Sequence, residues 1–162
     1  MKKIHSILPT LAMVSAALML MLLPAVALAA PSDAPVDSHP SGGVTAAVAT
    51  EFDRAVASGP PSSTLPCIST TGALACYQAY GDRWYVQDIR ADGASAEAFW
   101  QNDRSGNLYR EGICRNSLGN GKWGVCNKNY YEDSFIRWAA CVYNGSTGEV
   151  VRCSGWTSTQ PT

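Results

Sequence analysis

Histidine is scarce in this 162-residue chain: there are two, His5 and His39, and none after residue 39. A Ser or Cys nucleophile most often hands its proton to histidine, so triad hydrolysis is not expected in the rest of the chain. Cys-x-x-Cys pairs are absent, and with them the short ligand spacing of structural zinc sites. Neither a metal nor a cofactor is therefore expected. No charge of one sign dominates, since 12 Lys and Arg face 13 Asp and Glu. Without a basic stripe, nucleic acid is not an expected partner. Long apolar runs are confined to the first thirty residues, and no long helical period comes after them.

Those thirty residues read as an export signal. Lys2 and Lys3 precede an apolar stretch from Leu11 to Leu23, Pro24 interrupts it, and Ala27-Leu28-Ala29 offers small residues at both positions a signal peptidase reads. Cleavage is expected after Ala29, giving a signal peptide over 1–29. Residues 11–30 are long enough to span a bilayer, but the Pro24 break and the Ala-x-Ala ending favour removal. The first cysteine, Cys67, is too far from the apolar run for lipid attachment. The mature protein is thus expected to be secreted and extracellular, with no membrane association after signal removal. Losing Lys2 and Lys3 leaves ten cationic against thirteen acidic side chains, which suits a soluble, diffusing protein.

All six cysteines lie beyond the signal. An even number in an exported chain implies three disulfides, although six cysteines allow fifteen connectivities. Spacing narrows the choice. Eleven residues separate Cys114 from Cys126 and Cys141 from Cys153, and each interval has a glycine, Gly121 or Gly148, seven residues after its first cysteine. Both read as antiparallel hairpins cross-linked near their open ends, which leaves Cys67–Cys76 by elimination. Ser146-Thr147-Gly148 and Asn120-Gly121 supply turns in which glycine takes positive φ. Asn144-Gly145 competes for the last turn but would put Cys141 out of register with Cys153.

Residues 30–66 differ in composition from residues 67–162. Six prolines, with Ser and Ala between them, mark a flexible leader. Within it Val44, Val48, Phe52 and Val56 recur every four residues before Gly59-Pro60, the pattern of a short helix over 44–58. The leader is either a weakly ordered arm or a segment trimmed after export. Residues 67–162 form the expected folded domain, rich in Trp, Tyr, Val and turn residues. About seven strands are predicted, over 74–80, 83–90, 95–101, 108–115, 122–127, 135–143 and 149–156. Ala96, Ala98 and Trp100 share one face, with Glu97 and Gln101 opposite. Ile136, Trp138, Ala140 and Val142 make a second apolar stripe. The strand over 83–90 alternates poorly, as at an edge or a ligand-facing position. The fold class is therefore all-β: a small disulfide-stapled antiparallel sandwich or barrel of about seven strands, preceded by the signal and a Pro/Ser/Ala-rich leader.

Chemistry is harder to find. Nine carboxylates fall in the domain, but sequence cannot bring two of them to one cleft. Aromatics give the stronger signal: five Trp, seven Tyr and two Phe from Cys67 onward, more rings than a small core hides. Trp84 and Tyr85 are adjacent and must point to opposite faces of a strand. Tyr130-Tyr131-Glu132-Asp133 reads as a loop tip with rings beside carboxylates, a combination suited to stacking on sugars or anchoring in a partner. Trp84, Tyr85, Tyr130, Tyr131 and Glu132 are therefore the candidate binding residues. Trp84 and Tyr131 are equally open to a core role, while Trp100, Trp138 and Trp123 are assigned to the core.

Cys114-Arg-Asn, Gly121-Lys-Trp, Cys126-Asn127, Glu132, Cys141 and Cys153-Ser-Gly-Trp156 together resemble small exported proteins of mycelial actinobacteria, over roughly residues 74 to 158. The resemblance implies secretion, disulfides and a β-rich domain, and assigns no activity. Arg83-Trp84-Tyr85 is similar to the Trp-Arg-Tyr triplet of small actinobacterial amylase inhibitors, with the order changed and three cysteine pairs in place of two. The function expected is non-catalytic binding of an extracellular protein or glycan, as an enzyme inhibitor or a surface ligand. A small carboxylate-dependent hydrolase and an envelope or spore-coat component are the alternatives.

Overall fold

The computed structural model describes residues 48–62 and 64–159; the expected signal peptide and the leader up to residue 47 lie outside them. Eleven strands form two sheets. The first sheet runs in the order β1 (Thr50–Arg54), β7 (Asn107–Asn116), β6 (Ser95–Arg104), β9 (Phe135–Asn144) and β10 (Glu149–Cys153), with β11 (Thr157–Thr159) also on β9. The second runs β2 (Val56–Ser58), β8 (Trp123–Asn127), β5 (Arg83–Asp88), β4 (Ala73–Gln78) and β3 (Cys67–Thr70). All pairings are antiparallel except that of β1 with β7. The expected all-β, disulfide-stapled fold is a two-layer sandwich.

Alternation builds the core. Ala96, Ala98 and Trp100 of β6 and Ile136, Trp138, Ala140 and Val142 of β9 point into the sandwich, as their spacing predicts. Ala73, Ala75 and Tyr77 of β4 meet them from the other sheet with Trp84 and Val86 of β5. The rings interlock: Trp84 stacks on Trp100 with centroids 6.5 Å apart and meets Trp138 edge-on at 5.6 Å. Pairs of this kind add about 0.5–1.5 kcal/mol each beyond the area they bury. Gly112 is required by the ring beside it, since a Cβ there would lie 2.5 Å from Trp100 Cζ2.

The seven predicted strands correspond to β4 through β10, and four more elements join them. The helix expected over 44–58 is replaced, in its described part, by β1 and β2. A helix would have gathered Val48, Phe52 and Val56 on one apolar face, yet Phe52 is 46% and Val56 65% exposed. What orders this segment is a period of two, because Glu51 and Asp53 both face the cation Lys128. The chain changes sheets at buried Ala55, whose N–H donates to Arg115 O at 2.8 Å. Strands that switch sheets make the corners of sandwiches. The ordered domain thus starts before Cys67, inside the stretch whose composition reads as leader.

Two further expectations are corrected. Of the two readings of the strand over 83–90, an edge or a ligand-facing position, the first is excluded: β5 is the central strand of its sheet. It alternates cleanly once Asp88 is placed inward with Trp84 and Val86; Asp88 is buried and accepts from Arg90 N at 2.9 Å.

The second correction concerns the cysteines. All three predicted disulfides are present, and no cysteine is free, but the two equal spacings do not share one design. Cys141 and Cys153 face each other across β9 and β10, as Cys67 and Cys76 do across β3 and β4, each with Cα atoms 4.1 Å apart. Cys114 and Cys126 lie on different sheets, because β7 pairs with β6 and β1 while β8 pairs with β5 and β2. Their Cα atoms are 6.0 Å apart and the bond spans the core. In the last hairpin Asn144 pairs with Glu149, and a bulge at Val151 restores the Cys141–Cys153 register. Gly148 and Gly121 both have φ of 75°, the positive φ their turns were expected to need.

A neighbouring ladder still holds a cross-strand cysteine pair after its sulfurs are removed, whereas no ladder joins Cys114 to Cys126. Cys114→Ala/Cys126→Ala is expected to lose about 3 kcal/mol of loop-closure stabilisation plus the cost of a core cavity. Urea denaturation should show a larger loss than for Cys67→Ala/Cys76→Ala; an equal or smaller one contradicts the sheet-crossing role.

Candidate functional site

One end of the sandwich is formed by the β6–β7 hairpin and residues 128–134, which link β8 to β9. Ser105 and Gly106 turn the hairpin, both with positive φ (52° and 77°), as a two-residue type I′ turn requires. A register shift between β6 and β7 leaves Tyr109 out of the pairing, next to Arg110.

A buried polar network fixes residues 128–134 against the core. Asp82 accepts from Tyr77 Oη and from Tyr130 N, each at 2.8 Å, and its carbonyl accepts from Lys128 N at 2.8 Å. Trp84 Nε1 donates to Tyr130 Oη at 3.0 Å. Burial pushes the Tyr77 and Tyr130 phenols well above the ordinary tyrosine range, so both stay protonated. With Tyr130 turned inward, Tyr131 turns outward and is 47% exposed. Ser134 closes the turn beneath it, donating to Tyr131 O through N (2.9 Å) and Oγ (2.6 Å).

Tyr131 is exposed but held. The Arg104 guanidinium lies 3.7 Å from its ring centroid and also pairs with Asp133 at 3.3 Å. Tyr109, itself 45% exposed, meets Tyr131 edge-on at 5.7 Å. The Tyr131 hydroxyl, through its hydrogen bond, raises the Tyr109 phenol. Two depressions flank these rings. One, of about 280 Å³, is bordered by Tyr109, Arg110, Asn129, Tyr130 and Tyr131. The other, of about 510 Å³, is bordered by residues including Asp103, Asp133, Phe135 and Arg137. Its two carboxylates have cationic neighbours: Asp133 pairs with Arg104, and Asp103 lies 3.9 Å from Arg137.

Arg110 ties this end to the N-terminal strand. It donates to Glu51 at 2.6 and 2.9 Å and to Asn129 O at 2.7 Å. Lys128 pairs with Glu51 at 2.9 Å and with Asp53, its amine 5.1 Å from the Trp100 centroid. The Arg110 hydrogen bond, reinforced by Lys128 against partial burial, holds the Glu51 carboxyl at about 2.

The five candidate binding residues part company in three dimensions. Trp84 and Tyr130 are buried and hydrogen-bonded to each other; Trp84 offers no surface, and Tyr130 only an edge of the smaller depression. Tyr131 and Glu132 are exposed on this end. Tyr85 is half-buried on the outward face of the second sheet, between Cys76 and Val125. Of the inhibitor-like triplet, Arg83 and Tyr85 point outward and Trp84 inward. Asp133, of the predicted loop tip, stays beside Tyr131; Tyr109, Arg104, Asp103 and Phe135 join the corner, although no local sequence pattern marks them for it. The bulge that frees Tyr109 leaves no trace in the sequence. Trp123, expected in the core, is half-buried beside Tyr85 on the outward face. Among the described residues no cluster of three His, Cys, Asp or Glu is placed to hold a metal ion, and no helix is long and apolar enough to cross a membrane.

Neither a family model, nor a curated protein, nor a solved structure matches this chain.

The Glu51 contacts carry a pH signature. Its folded pKa is depressed below the ordinary 4.5, so its stabilisation is complete above that value and is lost as pH falls toward about 2. Glu51→Gln removes this titration. Denaturation midpoints between pH 5 and pH 2 should fall less steeply for the variant than for the parent; parallel curves would show that Glu51 is not held by Arg110 and Lys128.

Proposed function

We propose that this protein is a secreted, non-catalytic binding protein that engages an extracellular protein or glycan through the corner around Tyr131. The observation that carries the reading is the Tyr131–Tyr109 pair: two rings, each nearly half exposed, with Tyr131 fixed by the Arg104 guanidinium. A ring immobilised before binding loses little conformational entropy on contact, so its buried area is turned into affinity efficiently. Exposed Tyr beside Arg is also the composition in which binding hot spots are enriched.

Charge favours binding over hydrolysis here. Asp133 is engaged by Arg104, and Arg137 lies beside Asp103. A glycosidase needs two carboxyl groups facing each other across the scissile bond, whereas each of these is turned to a guanidinium. Secretion is supported by the signal-like residues 1–29 and by three disulfides, bonds that persist mainly in oxidising compartments.

The test is a panel of extracellular hydrolases and polysaccharides incubated with the protein, with inhibition, adsorption and product release all measured. Saturable binding or inhibition of at least one member is expected, weakened roughly tenfold or more by Tyr131→Ala, with no turnover. Product release that disappears in Asp133→Asn or Asp103→Asn would overturn the reading.

A further inference from the structure

Half-buried aromatic side chains also occupy a second surface, the outward face of the five-stranded sheet. Cross-strand pairing sets Tyr85 between Cys76 and Val125, and Trp123 between Gln87 and Ser58. Leu74 lies opposite Gln87 in the same row as Trp123. Tyr85 and Trp123 are thus diagonal neighbours on β5 and β8, a separation of roughly 7–8 Å with the Cβ atoms somewhat closer, near enough for both rings to touch one ligand. Both are half-buried, with neighbours on the sheet supporting them.

The face is almost without charge. Its polar outward side chains are Ser58, Ser69, Gln78, Gln87 and Asn127, and Arg83 is the one ion among the described outward positions of the five strands. The Tyr131 corner differs sharply, with Arg104, Arg137, Asp103 and Asp133 close together. A charged polymer would find almost no counter-charge on the face. Trp123 lies between the Gln87 amide and the Ser58 hydroxyl, and Tyr85 between the Cys67–Cys76 bond and Val125; such a mixture matches a chain of neutral sugars, whose C–H faces lie on rings and apolar side chains while their hydroxyls reach amide and hydroxyl groups.

Rigidity adds to the match. Tyr85 sits on the central strand, whose alternate side chain Trp84 is locked in the core, and the Cys67–Cys76 bond pins the two strands on its other side. An immobile sheet face presents its rings without an ordering cost.

We propose that this face binds a neutral polysaccharide chain, with Trp123 and Tyr85 as the stacking rings. The site is separate from the Tyr131 corner and does not depend on what the corner binds.

The test is adsorption of the full protein to cellulose, chitin and insoluble starch, at low salt and in 1 M NaCl. Binding to at least one is expected, and it should persist at high salt, where attraction between exposed charges is screened. Trp123→Ala and Tyr85→Ala should each reduce it roughly tenfold or more. Oligosaccharides of the bound polymer should shift the tryptophan emission of the parent and not of Trp123→Ala, because Trp84, Trp100 and Trp138 are fully buried and half-buried Trp156 packs on Phe99 of the other sheet. Near-ultraviolet circular dichroism confirms that each variant is folded; if Trp123→Ala is not, Tyr85→Ala and the parent's salt response decide. No adsorption to any of the three, adsorption abolished by salt, or adsorption indifferent to both substitutions would overturn the proposal.

Discussion

The Cys114–Cys126 bond crosses the space between two sheets, and the ring packing around it depends on that crossing. Trp84 from one sheet and Trp100 and Trp138 from the other share the core with it. Large rings leave voids unless the distance between layers is fixed, and interiors tolerate such voids poorly. The covalent link sets that distance at one point, and the ring contacts hold it elsewhere. In a chain of this size, a bridge of this kind is a large share of the few kilocalories that separate folded from unfolded.

Both candidate surfaces inherit their rigidity from this frame. At the corner, Tyr130 reaches into the core to accept from Trp84, and its neighbour Tyr131 is thereby turned outward. On the sheet face, Trp84 points inward and its neighbour Tyr85 outward. The same core tryptophan therefore positions an outward-facing tyrosine on each surface. The surfaces differ in charge, mixed ions at the corner and amides on the sheet, and so they suit different ligands. The N-terminal strand closes the side of the sandwich through Glu51, Arg110 and Lys128.

Much of the frame was legible in the sequence. The period of two in 95–101 and 135–143 placed the inward stripes correctly, because every second residue there is apolar. The disulfide partners were legible from spacing, but the geometry behind one of them was not. Eleven intervening residues fit a hairpin and a crossing between layers equally well, and only the pairing of β8 with β5 decides. Residues 44–58 misled because a period of four in apolar residues outweighed the two carboxylates that seek cations far along the chain. Asp88 obscured the alternation of β5, since a buried carboxylate breaks an apolar pattern without breaking the strand. At the site, adjacency of Trp84 and Tyr85 showed that one ring faces out and left open which. Tyr109 and Trp123 came from a bulge and a strand order, and neither is written locally.

Sulfur joining the two layers is the constraint on which the frame and both surfaces rest. Digestion of the unreduced protein, with mass mapping of the linked peptides, tests it most directly. Three linked pairs are predicted, with Cys114 found only with Cys126. Cys114 recovered as a free thiol, or joined to any other cysteine, would contradict it.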